Sequence, residues 1–271
     1  MIRRAWPTMG SMASLAVSRS SGADEHAVDR VVGVVRDWFD EVEAALSPYR
    51  RDSDLCRWRA GELALDDSRH LIEMRQACDS LARVTEGGFH PYDRSRRFDP
   101  TGYAKGWAIE RGLDVFVSAG ITDACLGIGG DQQMIGRAQP TRPWRVAVAD
   151  TSERGRIAAV VSAPASGARF AVATSGEAER GEHIWPAGGR PLVVGQLQHG
   201  AGLASVTVVG PLLGLADAFA TAIWAHARTS PLDEAWRWLA GTGYEALAVD
   251  RLGRVRGTAG MPGQLVRPAA A

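Results

Sequence analysis

The sequence is poor in lysine, cysteine and long apolar runs, and each shortage excludes something. Lys105 is the only lysine among 271 residues, against thirty arginines. A bias toward Arg, Ala and Gly suits a GC-rich coding background, in which an exposed lysine without a task is readily an arginine. The survivor either has a local role or is left by chance. Cys56, Cys78 and Cys125 are odd in number and widely separated, which suits neither a disulfide framework nor a zinc knuckle. No stretch approaches the ~18 apolar residues that mark a membrane span. The arginines near the start precede no apolar h-region, so no signal peptide is read and a cytoplasmic location is expected. Net charge is also missing, since 31 basic residues balance 31 acidic ones. Nothing in the overall field argues for nucleic acid, and any anionic ligand has to be held locally. The patterns Gly-x-x-x-x-Gly-Lys-Ser/Thr, Gly-x-Ser-x-Gly and His-Glu-x-x-His do not occur, which leaves P-loop, α/β-hydrolase and zincin chemistry without a foothold.

An apolar content of 45% supplies a proper core, and the length fits one large domain over residues 1–271 or two intimately packed lobes. Loose alternation predicts an opening strand over residues 12–19. Apolar spacing of three and four predicts helices over 23–46 and 67–86, the second ended by Gly87-Gly88 through a left-handed cap. Cys78 falls on the apolar face of that helix as a small core residue. A third helix is expected over 104–119, closed by Gly120. Strands are expected near 124–128, 144–149, 157–162, 170–174 and 204–209. Helices over 212–227 and 231–240 and strands near 244–249 and 254–257 complete the chain. Strands and helices are partly segregated, which argues for α+β with a largely antiparallel sheet. No internal sequence repeat is visible.

Asp217 and Thr221 are four apart within Leu-Ala-Asp-Ala-Phe-Ala-Thr-Ala, so on a helix they share one face. A carboxylate and a hydroxyl one turn apart are hard oxygen ligands, and a carboxylate in so apolar a segment needs a partner or a cation. Magnesium suits such a pair because it takes few protein oxygens and completes its octahedron with phosphate and water; the alternative is an ordinary capping or surface pair. The run Asp99-Pro-Thr-Gly-Tyr-Ala-Lys-Gly106 leads into a helix, whose amino end favours an anion, with Lys105 adding a full charge. Gly129-Gly130-Asp131 is a glycine turn after a strand that offers close backbone approach. His183 follows a strand and is either a general acid or base or a solvated loop residue.

In order and spacing these stretches resemble the ApbE family of FAD:protein FMN transferases. The resemblance is carried by Thr8-Met9-Gly10, Leu46-Ser-Pro-Tyr49, Asp52-Ser-Asp-Leu55, Gly87-Gly-Phe89 and Asp99-Pro-Thr-Gly-Tyr-Ala-Lys-Gly106. It continues through Gly129-Gly-Asp131, Ala173-Thr-Ser-Gly176, His183-Ile184, Ser205-Val-Thr-Val-Val209 and Ala216-Asp-Ala-Phe-Ala-Thr221. It implies two T-fold-like halves with FAD in the cleft between them. It also implies Mg-dependent transfer of the FMN moiety of FAD to a Thr or Ser hydroxyl of an acceptor flavoprotein, with release of AMP. FAD pyrophosphatase activity at the same site, or FAD binding without turnover, are the alternatives. By resemblance, Asp217, Thr221 and the backbone carbonyl of Gly102 hold the metal. Met9, Tyr49, Gly88, Phe89, His90, Asp99, Lys105 and Ile184 contact FAD, with Lys105 either beside the phosphates or fixing its loop through a carboxylate. His183 activates the acceptor hydroxyl. Where the family often reads His-Ile-Ile-Asp-Pro this chain has His183-Ile-Trp-Pro186, one residue shorter, and Phe89-His90-Pro91 stands where many members have Phe-Asp-Pro.

Overall fold

The computed structural model describes residues 1–93, 95–149, 155–176 and 202–266. The chain opens with a hairpin, β1 (Ile2–Thr8) and β2 (Ser11–Val17), in antiparallel register from Ile2 opposite Val17 to Thr8 opposite Ser11. Its two-residue turn puts both Met9 (φ 48) and Gly10 (φ 68) at positive φ, as the tightest hairpin connections demand. Methionine is an unusual occupant there, and its N–H donates to the Glu43 carboxylate at 3.2 Å.

Four helices follow. In α1 (Glu25–Leu46) the Asp24 side chain accepts the Ala27 N–H at 2.7 Å, and Val28, Val32, Val35, Phe39 and Val42 form the buried stripe. Its period of three and four is what makes the segment a helix with one dry face. Then come α2 (Asp54–Arg59), capped by Ser53, α3 (Arg69–Val84) and α4 (Thr101–Ser118). Past α4 the chain turns at Gly120, φ 80, a left-handed conformation that costs glycine little. The remainder is β3 (Ala124–Ile128), β4 (Asp131–Ile135), β5 (Arg145–Ala149), β6 (Ile157–Ser162), β7 (Phe170–Gly176) and β8 (Leu203–Gly210). After these come α5 (Leu213–His226), α6 (Leu232–Ala235), β9 (Glu245–Asp250), β10 (Val255–Gly257) and β11 (Leu265–Val266).

The strands form an eight-stranded sheet in the order β1-β2-β3-β4-β7-β8-β9-β10 and a smaller sheet in the order β11-β6-β5. Every pairing between neighbours is antiparallel. One core joins α1 to α5 to one face of the large sheet. A second, with Met134, Trp144, Val146, Val161, Phe170 and Val249, fills the space between the other face and the small sheet. The large sheet repeats a pattern: β1-β2, helices α1–α4, β3-β4, and then β7-β8, helices α5–α6, β9-β10. The halves join where β4 pairs with β7, and there α4 of one half packs on α5 of the other.

The expected antiparallel α+β arrangement is observed, with differences in detail. Strands β1, β4 and β11 and helix α2 are additional to those expected. Two arginines and Pro7 disguise β1, yet proline is tolerated on an edge strand. Asp131-Gln132-Gln133 disguises β4, where Asp131 and Gln133 are buried on hydrogen-bonding partners instead of facing water. Gly129-Gly130 is the β3–β4 hairpin turn. The helix expected over 231–240 shrinks to α6 and a 3-10 turn, Arg237–Leu239, as Trp238 turns edge-on to Phe219 with ring centroids 5.0 Å apart.

The α4–α5 contact depends on glycine. A Cβ at Gly106 would lie 2.6 Å from the Leu213 carbonyl oxygen and 2.9 Å from Asp217 Cβ, and one at Gly214 would lie 2.9 Å from the Tyr103 ring. Gly106→Ala therefore forces the helices apart. We expect a loss of about 1–3 kcal/mol in denaturant unfolding, the usual cost of an added methyl in a packed seam. Gly33→Ala, in open space on α1, is the control and should instead gain about 0.5–1 kcal/mol from helix propensity.

Candidate active site

Helix α5 has no Ser, Thr, Asp or Asn before it; its N-cap is Leu212, which makes no side-chain cap. Its exposed amides are instead satisfied by side chains from three other elements. Tyr244 Oη accepts the Leu212 N–H at 3.2 Å, Gln133 Oε1 accepts that of Leu213 at 2.7 Å, and Glu110 Oε2 accepts that of Gly214 at 3.1 Å. Gln133 also donates through Nε2 to the Phe170 and Pro211 carbonyls at 3.1 and 3.0 Å. Orphan amides at a helix start need such partners when buried. Burial is the main reason the Glu110 carboxyl is raised above its ordinary range; the Gly214 N–H opposes it, and Asp114 adds to it.

One turn on, Asp217 is 5% exposed, and its Oδ2 accepts the N–H of Gly106 on α4 at 3.1 Å. By helical spacing the acceptor for that N–H is the Gly102 carbonyl, so Asp217 competes for a donor belonging to Gly102. A further turn along, Thr221 Oγ1 lies 3.3 Å from Ser175 Oγ on β7. A Cβ at Gly102 would be 3.3 Å from the same Thr221 oxygen and 3.2 Å from the Phe89 ring. The structure thus keeps Asp217 and Thr221 on one face of α5, as their spacing suggests, sets both against the first turn of α4 at Gly102, and adds Ser175.

Lys105 pairs through Nζ with Asp131 Oδ2, and Asp131 is fully buried. The other carboxylate oxygen accepts the Thr174 N–H at 2.9 Å, just beyond the last β4–β7 pair, Gln132 with Val172. Lys105 therefore fixes its surroundings through a carboxylate. Asp131, to which the sequence reading gave no role, is the carboxylate. A charge directly after a hairpin turn and within an otherwise buried strand is the signal that could have found it.

A cavity of about 490 Å³ opens where the β1–β2 turn, the end of α1 and the first turn of α4 converge. Met9, Glu43, Leu46, Tyr49, Thr101 and Lys105 are in its wall. Tyr49 is 82% exposed, which leaves its ring a free face for stacking. Asp217 and Thr221 are not in the wall; they lie across the first turn of α4, on the side where Gly88 and Phe89 pack. Gly88 sits so close to α5 that a Cβ would meet the Ala222 carbonyl oxygen at 3.2 Å. The Phe89 N–H donates to Thr85 Oγ1 at 2.9 Å. Asp99 Oδ1 accepts the Thr101 N–H at 3.0 Å, so one of the amides expected to meet an anion is already engaged. His90 is exposed, its ring edge-on to Tyr92 at 5.2 Å. His183 and Ile184 lie outside the described residues. Burial pushes the thiols of Cys78 and Cys125 up to about 12, and neither is a thiolate at neutral pH.

Among the described residues no cluster of three or more His, Cys, Asp or Glu side chains is arranged for a metal. The donors around Asp217 are a buried carboxylate, two hydroxyls and a backbone carbonyl whose helical donor is contested. These are all hard oxygens, and such a set suits magnesium and no soft metal. Among the described residues no helix is long and apolar enough to cross a membrane.

The model of the ApbE family matches residues 92–248. A curated relative, the FAD:protein FMN transferase of Rhodobacter capsulatus, is 29% identical over 214 residues, covering 76% of this chain and 35% of that protein. The chain thus spans about a third of the length of that relative. The flavin transferase ApbE from Vibrio cholerae superposes with a TM-score of 0.73 at 19% identity, over 97% of this chain and 99% of the other. The flavinyl transferase ApbE of Pseudomonas stutzeri in its apo form gives 0.76 at 18%, over 98% and 97%. The ApbE protein of Thermotoga maritima gives 0.77 at 17%, over 98% and 99%. At these identities the structural likeness is one of fold.

Two outcomes test the network that holds the site. A carboxyl raised in the folded state binds its proton more tightly than in the unfolded chain. It therefore contributes most below its ordinary value of 4.5 and takes stability away as pH rises through and beyond it. Glu110→Gln keeps an oxygen for the Gly214 N–H without the buried charge. Thermal melts should show it more stable than the parent at pH 7, with the difference closing toward pH 4. Lys105→Ala leaves Asp131 charged and dry, and should cost about 3 kcal/mol in denaturant unfolding; a loss below ~0.5 kcal/mol would mean that the pair is not buried as described.

Proposed function

The chain belongs to the ApbE family, and from that premise we propose that it transfers the FMN moiety of FAD to a Thr or Ser hydroxyl of an acceptor flavoprotein and releases AMP. The observation that carries this reading is the meeting of Gly102, Asp217 and Thr221 at the contact between α4 and α5, beside a cavity walled by Met9, Tyr49 and Lys105. The same premise brings with it the description of the fold as two T-fold-like halves around a ligand cleft, forming a single domain over 1–271.

A magnesium ion held by Asp217, Thr221 and the Gly102 carbonyl would neutralise charge on the diphosphate as it is cleaved. The rest is the work of the chain. Tyr49 offers a ring to stack on a flavin or adenine, and Met9 lines the same wall. Gly88, Phe89, His90 and Ile184 are assigned to the remaining contacts with FAD. The amino end of α4, braced by Asp99, directs its free amides and dipole toward the phosphates. Lys105, already paired with Asp131, contributes chiefly by holding α4 against β7. His183 takes the proton of the acceptor hydroxyl as that oxygen bonds to the FMN phosphorus and the bond to AMP breaks. FAD and the acceptor flavoprotein are the partners this reading calls for, with no part for nucleic acid or a membrane span, and a cytoplasmic location remains the expectation.

The test is a mass spectrum of an acceptor carrying an Asp-x-x-Ser/Thr-Gly-Ala-Thr type site after incubation with the protein, FAD and magnesium. A gain equal to FMN is expected, lost with Asp217→Ala. AMP released rapidly without any acceptor would favour pyrophosphatase activity. Tight FAD binding with no AMP under any acceptor would favour a flavin-binding member without turnover.

A further inference from the structure

We propose that Ser175 is a positioning residue for Thr221, accepting a hydrogen bond from its hydroxyl so that a lone pair of Thr221 Oγ1 is presented to a cation. The inference rests on the magnesium reading above and adds to it a residue that neither the sequence nor the family resemblance assigned.

A threonine inside a helix ordinarily turns its hydroxyl back onto a carbonyl in the preceding turn, here that of Asp217 or Ala218. Its partner is instead Ser175 Oγ, 3.3 Å away on a different element. A hydroxyl has one proton and two lone pairs. If Thr221 accepted from Ser175, one lone pair would be spent on serine and its proton would point toward the donor set. If Thr221 donates, the proton is turned to the strand and the lone pairs are left for an ion. A positive ion at that place selects the second arrangement.

Ser175 is suited to the task because it is buried on a pinned strand. It is 7% exposed, and its strand is pinned at the preceding residue, where the Thr174 N–H donates to Asp131, itself paired with Lys105. On its other side the Thr221 hydroxyl faces the bare backbone of Gly102, where a Cβ would come within 3.3 Å. The hydroxyl is thus held between a fixed acceptor and a carbonyl-bearing turn with no side chain.

The experiment is a titration with Mn2+ followed by electron paramagnetic resonance, on protein loaded with FAD and given no acceptor. The parent, Ser175→Ala, Thr221→Ala, the double variant and Asp217→Ala are compared. Ser175→Ala should weaken Mn2+ binding about tenfold, the usual scale for removing a group that orients a ligand. The double variant should bind no more weakly than Thr221→Ala alone, since serine acts through threonine. Parent-like Mn2+ affinity in Ser175→Ala, or losses that add in the double variant, would overturn the proposal while leaving the cation site intact. Parent-like affinity in Asp217→Ala would overturn the cation reading itself, and this proposal with it.

Discussion

At Gly106 the backbone of α4 meets the backbone of α5 at Leu213 with no side chain between them, and the architecture of the candidate site follows from that contact. A methyl at Gly106 on one helix or Gly214 on the other would strike the Leu213 carbonyl oxygen, Asp217 Cβ or the Tyr103 ring at 2.6 to 2.9 Å, and one at Gly102 would crowd Phe89 and Thr221 at 3.2 to 3.3 Å. Because the approach is so close, a side chain as short as aspartate on α5 reaches a main-chain amide of α4, and a threonine one turn further comes level with Gly102. The two helices belong to opposite halves of the repeated pattern. The contact therefore joins the two layers of helix at the same place where β4 and β7 join the two half-sheets.

Such a contact creates a problem that the surrounding residues solve. Drawing α5 in so tightly buries its amino end, where amides lack helical acceptors, along with carboxylates that water can no longer reach. Tyr244, Gln133 and Glu110 take the amides, Gly106 takes one oxygen of Asp217, and Thr174 and Lys105 take the two oxygens of Asp131. These groups come from β9's approach, β4, α4 and β7, so the position of Asp217 and Thr221 is determined from four directions. Glu110 is the member that carries an electrostatic penalty, since burial outweighs the one amide it accepts.

What was legible in the sequence was whatever is encoded locally. The stripe of α1, the pairing of Asp217 with Thr221 on one helical face, the burial of Cys78 and the stop at Gly120 depend on residues within a turn or two of each other. The oddity of a lone lysine also pointed to a real place, although its partner did not. Gln133 and Glu110 read as ordinary polar residues because their partners, Leu213 and Gly214, are about 80 and 104 positions away. Asp131 was visible only as the end of a glycine turn, and β4 was hidden because its polar residues are satisfied inside the protein. The structural repeat was equally invisible: hairpin, helices and hairpin recur with different side chains, since alternation and helical spacing can be met by many sequences.

The first turn of α4 separates two kinds of surface, and this division bears on how one ligand could serve both. On one side lies a cavity with a largely apolar wall and the free ring of Tyr49; on the other lie the oxygens of Asp217, Thr221 and Ser175. An aromatic ring suits the first and a charged diphosphate bridged to a hard cation suits the second. A dinucleotide has both parts joined by a few bonds, so a molecule draped over Thr101 and Gly102 would satisfy both surfaces at once. Gly102 is the point where it would cross, and a side chain there would collide with Phe89 and Thr221 before meeting any ligand. The missing Cβ of Gly102 therefore serves close packing first, leaving room for the Phe89 ring and the Thr221 side chain against the start of α4.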